Sequence, residues 1–319
     1  MGYCSELMKR VLSGYEVTKE EALKLYNEPA EVLYKSADTI REKLAGSKID
    51  LCSIINGKSG KCSEDCSYCA QSIHFKTGVT EYKLLSYEEI KAQAKENEKE
   101  GVDRFSIVTS GKGLVGEDFK SVVGYYKRLN DECNISLCAS HGILNEDFLA
   151  KLTEVGVKRY HHNLETSRGY YKKICTTHSY DERVNTIKEA KKVGLEICSG
   201  GIIGLGESRE DRIDMAIELR KLEVLSIPVN ALMAIKGTPL EKQEALSEEE
   251  ILRTIAVFRF INPKANIRLA AGRSLLNNNG DKAFKAGANA TITGNLLTTC
   301  GNKICDDRKM IKALGLKVK

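Results

Sequence analysis

The stretch GKCSEDCSYCAQS, residues 60–72, sets Cys62, Cys66 and Cys69 within eight positions of one another. Closely spaced thiolates are soft ligands, so the chemistry to consider first is metal binding. Structural zinc takes four ligands, usually as two close pairs; no second Cys or His pair follows Cys69 at a matching spacing, although His74 could supply one further ligand. The ferredoxin run C-x2-C-x2-C-x3-C has a different spacing and needs a fourth cysteine. A four-iron cube held by only three cysteines would leave one iron open to bind another molecule.

Other residues could join in metal chemistry. Cys52, Cys138 and Cys198 fall in apolar, β-branched runs, and an arginine, Arg268, falls in another, NIRLAAGR. A single buried cysteine ordinarily acts as a small apolar residue. Three of them facing an arginine are different, because a buried guanidinium is costly unless it meets an anion, and a thiolate-ligated cluster is one.

These residues need elements to position them. Eight short runs read as strands: DLCSII (50–55), RFSIVTS (104–110), NISLCAS (134–140), KRYHHNL (158–164), LEICSGGI (195–202), SIPVNAL (226–232), NIRLAA (266–271) and ANATIT (288–293). Charged segments with helical spacing separate them, and several open on Ser-x-x-Glu, as at Ser86 with Glu89, Ser179 with Glu182 and Ser247 with Glu250. Strand alternating with helix eight times predicts an α/β fold, a (β/α)8 TIM-type barrel, with an open doubly wound sheet or an incompletely closed barrel as alternatives. On a barrel, Cys52, Cys138, Cys198 and Arg268 occupy the first, third, fifth and seventh strands, whose inward side chains share layers. The cysteine loop follows the first strand, at the end where barrel active sites lie.

Residues 1–45 read as an N-terminal helical extension with a capping box at Thr18 and Glu21, residues 46–300 as the barrel, and 301–319 as a C-terminal tail. KALGLKVK, at the end of that tail, reads as a solvated basic terminus. The chain has 319 residues, 42% hydrophobic and 29% charged, which suits a globular protein with a large core, and a net charge of +5 with no basic block, which argues against a nucleic-acid partner. No apolar run approaches the roughly 20 residues that cross a bilayer, and no secretory signal is evident, so a cytoplasmic location without a membrane partner is expected. Eleven cysteines, an odd number, then argue against a disulfide framework.

With Tyr68 just before its last cysteine, the C-x3-C-x2-C loop resembles the signature of the radical S-adenosylmethionine (SAM) superfamily. In that superfamily the open iron of a [4Fe-4S] cluster chelates SAM, and one electron from the cluster splits it to a 5′-deoxyadenosyl radical. Together with YHHNLETS, SYDERVNTI, ICSGGIIGLGE, PVNALMAIKGTPL and RTIAVFRFINPKANIRLAAGR, the loop resembles the biotin synthase family along residues 50–300. Members have a (β/α)8 barrel and insert sulfur between C6 and C9 of dethiobiotin, drawing it from an auxiliary cluster inside the barrel. The resemblance implies that Cys62, Cys66 and Cys69 hold the SAM cluster and that Asn163 bridges SAM and dethiobiotin. It assigns Glu165 to the SAM ribose, Arg183 to the SAM carboxylate, Tyr68 and Ile202 to the surroundings of SAM, and Asn230 to the ureido ring of dethiobiotin. It also implies a homodimer and an electron donor such as flavodoxin or ferredoxin.

The chain departs from the family in one place. The familiar form holds a two-iron cluster with three barrel cysteines and the arginine; two of the cysteines align with Cys138 and Cys198, but the third falls on Ser106. Cys52 stands where that form carries Ser. The expectation is therefore an auxiliary cluster on Cys52, Cys138, Cys198 and Arg268, of four-iron type in preference to [2Fe-2S], its remaining iron bound by Arg268 or by an extra sulfide. Cys4 reads as part of an N-terminal helix, Cys133 as preceding a strand, Cys175 as packed in a loop, and Cys300 and Cys305 as incidental. Of His161 and His162, at least one should turn toward the helical layer. The alternative function is another radical SAM enzyme of similar build, hydrogenase maturase-like or methylornithine synthase-like; an iron–sulfur electron carrier or zinc-stabilised module is the rival from another class.

Overall fold

The computed structural model describes residues 2–295, 297 and 301–318. Three helices come first, α1 (Tyr3–Leu12), α2 (Lys19–Leu25) and α3 (Ala30–Leu44). Then follow β1 (Asp50–Lys58), α4 (Tyr87–Lys99), β2 (Arg104–Thr109), α5 (Gly116–Glu132), β3 (Ser136–Ser140), α6 (Glu146–Glu154) and β4 (Arg159–His161). The second half holds α7 (Tyr180–Lys192), β5 (Glu196–Cys198), β6 (Gly201–Ile203), α8 (Arg209–Lys221), β7 (Ser226–Ala231), α9 (Glu248–Ile261), β8 (Asn266–Leu269), α10 (Asp281–Lys285), β9 (Ala290–Ile292) and α11 (Ile304–Ala313).

All strand pairs are parallel, in the order β5-β4-β3-β2-β1-β9-β8-β7-β6, and pairing of Cys198 in β5 with Ser226 in β7 closes the ring. The expected (β/α)8 barrel is what forms, and the open-sheet alternative is excluded. The fifth predicted strand is broken into β5 and β6 around Ser199 and Gly200, yet the register runs on, Cys198 opposite Ser226 and Gly201 opposite Val229. Gly200 therefore faces Pro228, which has no N–H to give the ladder. A Cβ on Gly200 would lie 1.9 Å from the Pro228 carbonyl oxygen, so only glycine lets the two strands approach here.

The helices start where the sequence says they should. Thr18 with Glu21, Ser86 with Glu89 and Ser179 with Glu182 each form a reciprocal capping box. Ser247 caps only in one direction, accepting from the Glu250 N–H, because the Glu250 carboxylate is taken by Arg209 and Arg212 at 2.6 and 2.7 Å. The C-terminal stretch is not a solvated tail. Its helix α11 buries Ile311 and Asp307, Asp307 forms a buried ion pair with Arg273, and the Ile49 N–H donates to Lys317 O. An acid inside the first turn of α11 and a lone apolar residue were too sparse a pattern to announce docking.

Candidate functional site

Inside the barrel lies a cavity of about 390 Å³, within the range of small-molecule sites. Its wall includes Cys62, Cys66 and Cys69 from the loop after β1, and Cys52, Cys138 and Cys198 from the strands beneath. The seven other site residues anticipated above, Tyr68, Asn163, Glu165, Arg183, Ile202, Asn230 and Arg268, also contribute to the same wall.

The cysteine loop is pinned by its backbone. Cys62 N–H donates to Gln71 O and Ile73 N–H to Cys62 O, while the Gln71 side chain accepts from Gly60 N–H. Burial raises the Cys62 thiol and pushes Cys69 up to about 11, although backbone N–H groups of Glu64 and Gly111 toward Cys62, and of Gln71 and Ser72 toward Cys69, pull the other way. Half-buried thiols surrounded by main-chain donors are disposed to become thiolates once a cation arrives. The donor set fits an iron–sulfur cluster.

Beside this loop the β4–α7 segment supplies charge. The Asn163 amide donates to Glu165 Oε2 at 3.3 Å and accepts from the Gly200 N–H at 3.1 Å. Arg183, buried on α7, lies 3.6 Å from Glu165, and donates to Tyr171 Oη at 2.6 Å and to Asn163 O at 3.0 Å. Burial opposes the Arg183 charge, but Glu165 and the neighbouring Tyr68 and Tyr171 keep its pKa raised. Glu165 itself sits at φ 71°, an uncommon backbone for a residue with a side chain, held by the Ile202 N–H donating to its carbonyl at 2.8 Å. Gly201 makes that contact possible, since a Cβ there would meet the Glu165 carbonyl oxygen at 2.4 Å.

Further along the wall, Asn230 donates to Gly201 O at 3.0 Å and accepts from Ala271 N–H at 3.1 Å. One donor and one acceptor of its amide are thus engaged, and one of each is left.

The barrel thiols meet in register. Cys138 lies opposite Ser106 on one side and Arg159 on the other, and Cys198 lies opposite His161. Cys52 and Cys138 interact so that the Cys138 thiol is lowered and the Cys52 thiol raised. For Cys198, burial is outweighed by the neighbouring His161 ring and by Arg268 and Arg159, which bring the thiol down to about 6. Ser226 Oγ also donates to its sulfur at 3.2 Å. Arg268 spends its terminal nitrogens on Asp50, with 2.6 Å to Oδ1 and 3.1 Å to the carbonyl oxygen, and on Thr291 O at 3.0 Å. Its Nε is buried without a partner, as is Ser106 Oγ. Buried thiols next to arginines, with an orphaned guanidinium N–H and an orphaned hydroxyl, fit an anionic sulfur-rich group.

Both His161 and His162 reach the cavity wall. The expectation that one turns outward rested on strand alternation, which ends at His161, where β4 stops. His74 is not brought to the cysteines; its Nε2 lies 2.9 Å from Ser63 O. Cys4 is buried in α1 and Cys305 is exposed, while Cys300 lies outside the described residues. Sequence reasoning missed Cys175 and His178. Cys175 Sγ stands 3.8 Å from Cys66 Sγ, and no signal in KICTTHSY announces it because 109 positions separate the two.

Residues 58–219 match the Radical SAM superfamily and residues 228–317 the Biotin and Thiamin Synthesis associated domain. Over 318 residues, all of both chains, the sequence is 64% identical to a biotin synthase of Clostridium perfringens, and it is 54% identical to one of Clostridium tetani over 98% of each. In fold it is similar to a methylornithine synthase, with TM-score 0.86, 23% identity and coverage of 98% and 97%. It is similar also to a maturase of the [FeFe]-hydrogenase, with TM-score 0.83, 18% identity and coverage of 98% and 74%.

Proposed function

The chain belongs to the biotin synthase family of radical SAM enzymes, which act by sulfur insertion, and from that premise we propose how its own residues divide the work. The substrates are SAM and dethiobiotin, and the enzyme needs a [4Fe-4S] cluster. Cys62, Cys66 and Cys69 hold that cluster, which when bound supplies the electron that cleaves SAM.

Arg183 receives the carboxylate of SAM, its guanidinium aimed by Tyr171 and Asn163. Glu165 accepts the ribose hydroxyls, its carboxylate oriented by the Asn163 amide and Arg183. Ile202 and the Gly200–Gly201 backbone form an apolar floor for the adenine, and Tyr68 closes the space around SAM. Asn163 and Asn230 each keep one free donor and one free acceptor, which matches a ureido ring that offers N–H and C=O side by side.

The second group is an auxiliary cluster of four-iron type on Cys52, Cys138 and Cys198, as the source of the inserted sulfur. The observation that carries this is the placement of three thiols around one cavity while Ser106 on β2 stands where the familiar cluster has its third cysteine. Arg268 is better suited to donate its unpartnered Nε–H to a cluster sulfur than to bind iron, because Asp50 holds its terminal nitrogens. Iron and sulfide counted in the Cys62→Ala/Cys66→Ala/Cys69→Ala variant test this: about four irons per chain are expected, and about two would overturn it. The same reading carries a cytoplasmic homodimer reduced by flavodoxin or ferredoxin, and no helix among the described residues is long and apolar enough to cross a membrane.

A further inference from the structure

Cys66, on the cysteine loop, and Cys175, just ahead of α7, face each other across two segments that are tied on either side of them. The Ser67 N–H donates to Ile174 O at 2.8 Å. On the other side the Thr176 N–H donates to Asp65 Oδ1 at 2.9 Å, and the Thr176 hydroxyl donates to Asp65 Oδ2. Residue 67 is thus held to 174 and residue 65 to 176, which leaves 66 and 175 opposite each other, with their sulfurs 3.8 Å apart. A disulfide needs about 2.05 Å between sulfurs. The remaining approach is one that rotation about the two Cα–Cβ bonds can supply while the flanking hydrogen bonds stay in place.

The surroundings suit reaction and not inert packing. Cys66 is part of the cavity wall, where a small molecule entering the cavity can meet its sulfur, and Cys175 stands buried behind it. Cys175 Sγ also has polar neighbours, His178 Nδ1 at 3.3 Å and the Thr177 hydroxyl at 3.6 Å. A reachable thiol with a second thiol poised beside it to resolve the first product is how reversible cysteine redox sites are built.

We propose that the cluster-free chain stores Cys66 as a reversible disulfide with Cys175, made by exchange with a low-molecular-weight disulfide, RSSR, and opened again by thiols. In the first step Cys66 Sγ bonds to one sulfur of RSSR, the small S–S bond breaks, and RSH leaves with the Cys66 proton. In the second, Cys175 Sγ bonds to Cys66 Sγ, and a second RSH leaves with the Cys175 proton. Two protein thiols lose two electrons, and one small disulfide gains them. So linked, Cys66 is kept from further oxidation to a sulfinic acid. It also has no thiolate to give iron, so the bond and the SAM cluster exclude each other, a consequence that rests on the assignment of Cys66 to that cluster.

Full-length cluster-free chain, reduced beforehand, is treated anaerobically with oxidised glutathione; remaining thiols are alkylated and the digested peptides mapped by mass spectrometry. The Cys66 peptide should be found joined to the Cys175 peptide in most chains, and dithiothreitol should release it. In Cys175→Ser, Cys66 should stop at the mixed disulfide and carry glutathione. The proposal is overturned if Cys175 is recovered alkylated, or if Cys66 is joined mainly to Cys62 or Cys69. If circular dichroism shows Cys175→Ser unfolded, the map of the parent alone decides. Mutual exclusion is read on Cys52→Ala/Cys138→Ala/Cys198→Ala, whose remaining cluster is that of the cysteine loop. Loaded with iron and sulfide and then given the same oxidant, it should either keep its iron and show no Cys66–Cys175 bond or lose its iron as the bond forms. A bond formed with all iron retained would remove Cys66 from the SAM cluster while leaving the disulfide itself standing, so the two readings fail in different measurements.

Discussion

Arg268 Nη2 donates to Asp50 Oδ1 at 2.6 Å, joining β8 to the first residue of β1 across 218 positions of sequence. Asp50 is shared further, with Arg104 Nε at 3.0 Å and Arg159 Nη1 at 4.0 Å. One carboxylate thus stands among three arginines at the closed end of the barrel. Asp50→Asn leaves Arg104 and Arg159 with Glu196, which reaches Arg159 at 2.8 Å and Arg104 at 3.4 Å but is half exposed, and leaves Arg268 with the main-chain oxygens of residue 50 and Thr291. Breaking a buried pair from one side costs about 3–5 kcal/mol. A loss near the lower figure is expected in urea unfolding of the cluster-free variant, and a loss below about 1 kcal/mol would show the arginines to be solvated.

The same residue sets an acid limit. Burial alone would raise the Asp50 carboxyl, but Arg268, Arg104 and Arg159 outweigh it and hold the group well below the usual carboxylate range. In the unfolded chain it titrates near 3.9. The unfolded state therefore takes up the proton first, so the contribution of Asp50 to stability is whole above about pH 4 and drains away as pH falls below it. Stability measured from pH 6 down to pH 3 should drop more steeply for the parent than for Asp50→Asn, the two curves converging at the acid end. Parallel curves would remove Asp50 from the acid limb.

How much of this was legible in the sequence depends on range. Cys62, Cys66 and Cys69 declare themselves by spacing, the eight strand runs by composition, and Ser86 or Ser179 by the glutamate three residues on; each is a local pattern. Cys52, Cys138 and Cys198 were legible one step further, because barrel geometry converts strand parity into a shared layer. Asp50 was not, since a carboxylate at the edge of a strand looks solvated until three arginines from β2, β4 and β8 turn toward it. Cys175 and His178 were hidden for the same reason, a loop-to-loop contact that no periodicity encodes. The break between β5 and β6 could have been read from Gly200 had Pro228 been known to lie opposite.

Two adjacent glycines should respond differently to the same change. At Gly201, an added Cβ meets the Glu165 carbonyl oxygen and the Met215 sulfur, both at 2.4 Å. At Gly200 it meets only backbone, the Pro228 carbonyl oxygen at 1.9 Å. A thioether can move aside, whereas a strand cannot without strain of about 1–3 kcal/mol. Gly201→Ala should therefore fold, with SAM affinity reduced because Glu165 is displaced. Gly200→Ala should lose more stability in denaturant titration, and equal stability in the two would argue that β5–β7 closure is loose.

Arg183 tests whether geometry or charge alone receives SAM. Its Nε is committed to Tyr171 and one Nη to Asn163, a fork that lysine cannot reproduce. A hydrogen bond to a charged group is worth about 1.5–3 kcal/mol, which is roughly tenfold or more in affinity. Arg183→Lys should weaken SAM binding by at least about tenfold in isothermal titration of cluster-loaded protein, with far-UV circular dichroism unchanged. Binding within about twofold of the parent would reduce Arg183 to a nonspecific positive charge.

Ser106, where the family resemblance leads to the expectation of a cysteine, has its hydroxyl buried with no hydrogen-bond partner in the protein. An unpaired buried polar group costs about 1–3 kcal/mol, so in the cluster-free chain the hydroxyl is a liability that alanine removes. Ser106→Ala should raise the stability of cluster-free protein by about 1 kcal/mol. If the hydroxyl instead donates to an auxiliary-cluster sulfide, the order reverses once the barrel cluster is loaded, because the serine then has its partner and the alanine does not. Thermal melts of both proteins, with and without reconstituted cluster, separate the cases: a crossing of the two orders assigns Ser106 to the cluster, and an alanine advantage in both states leaves it a bystander in the wall.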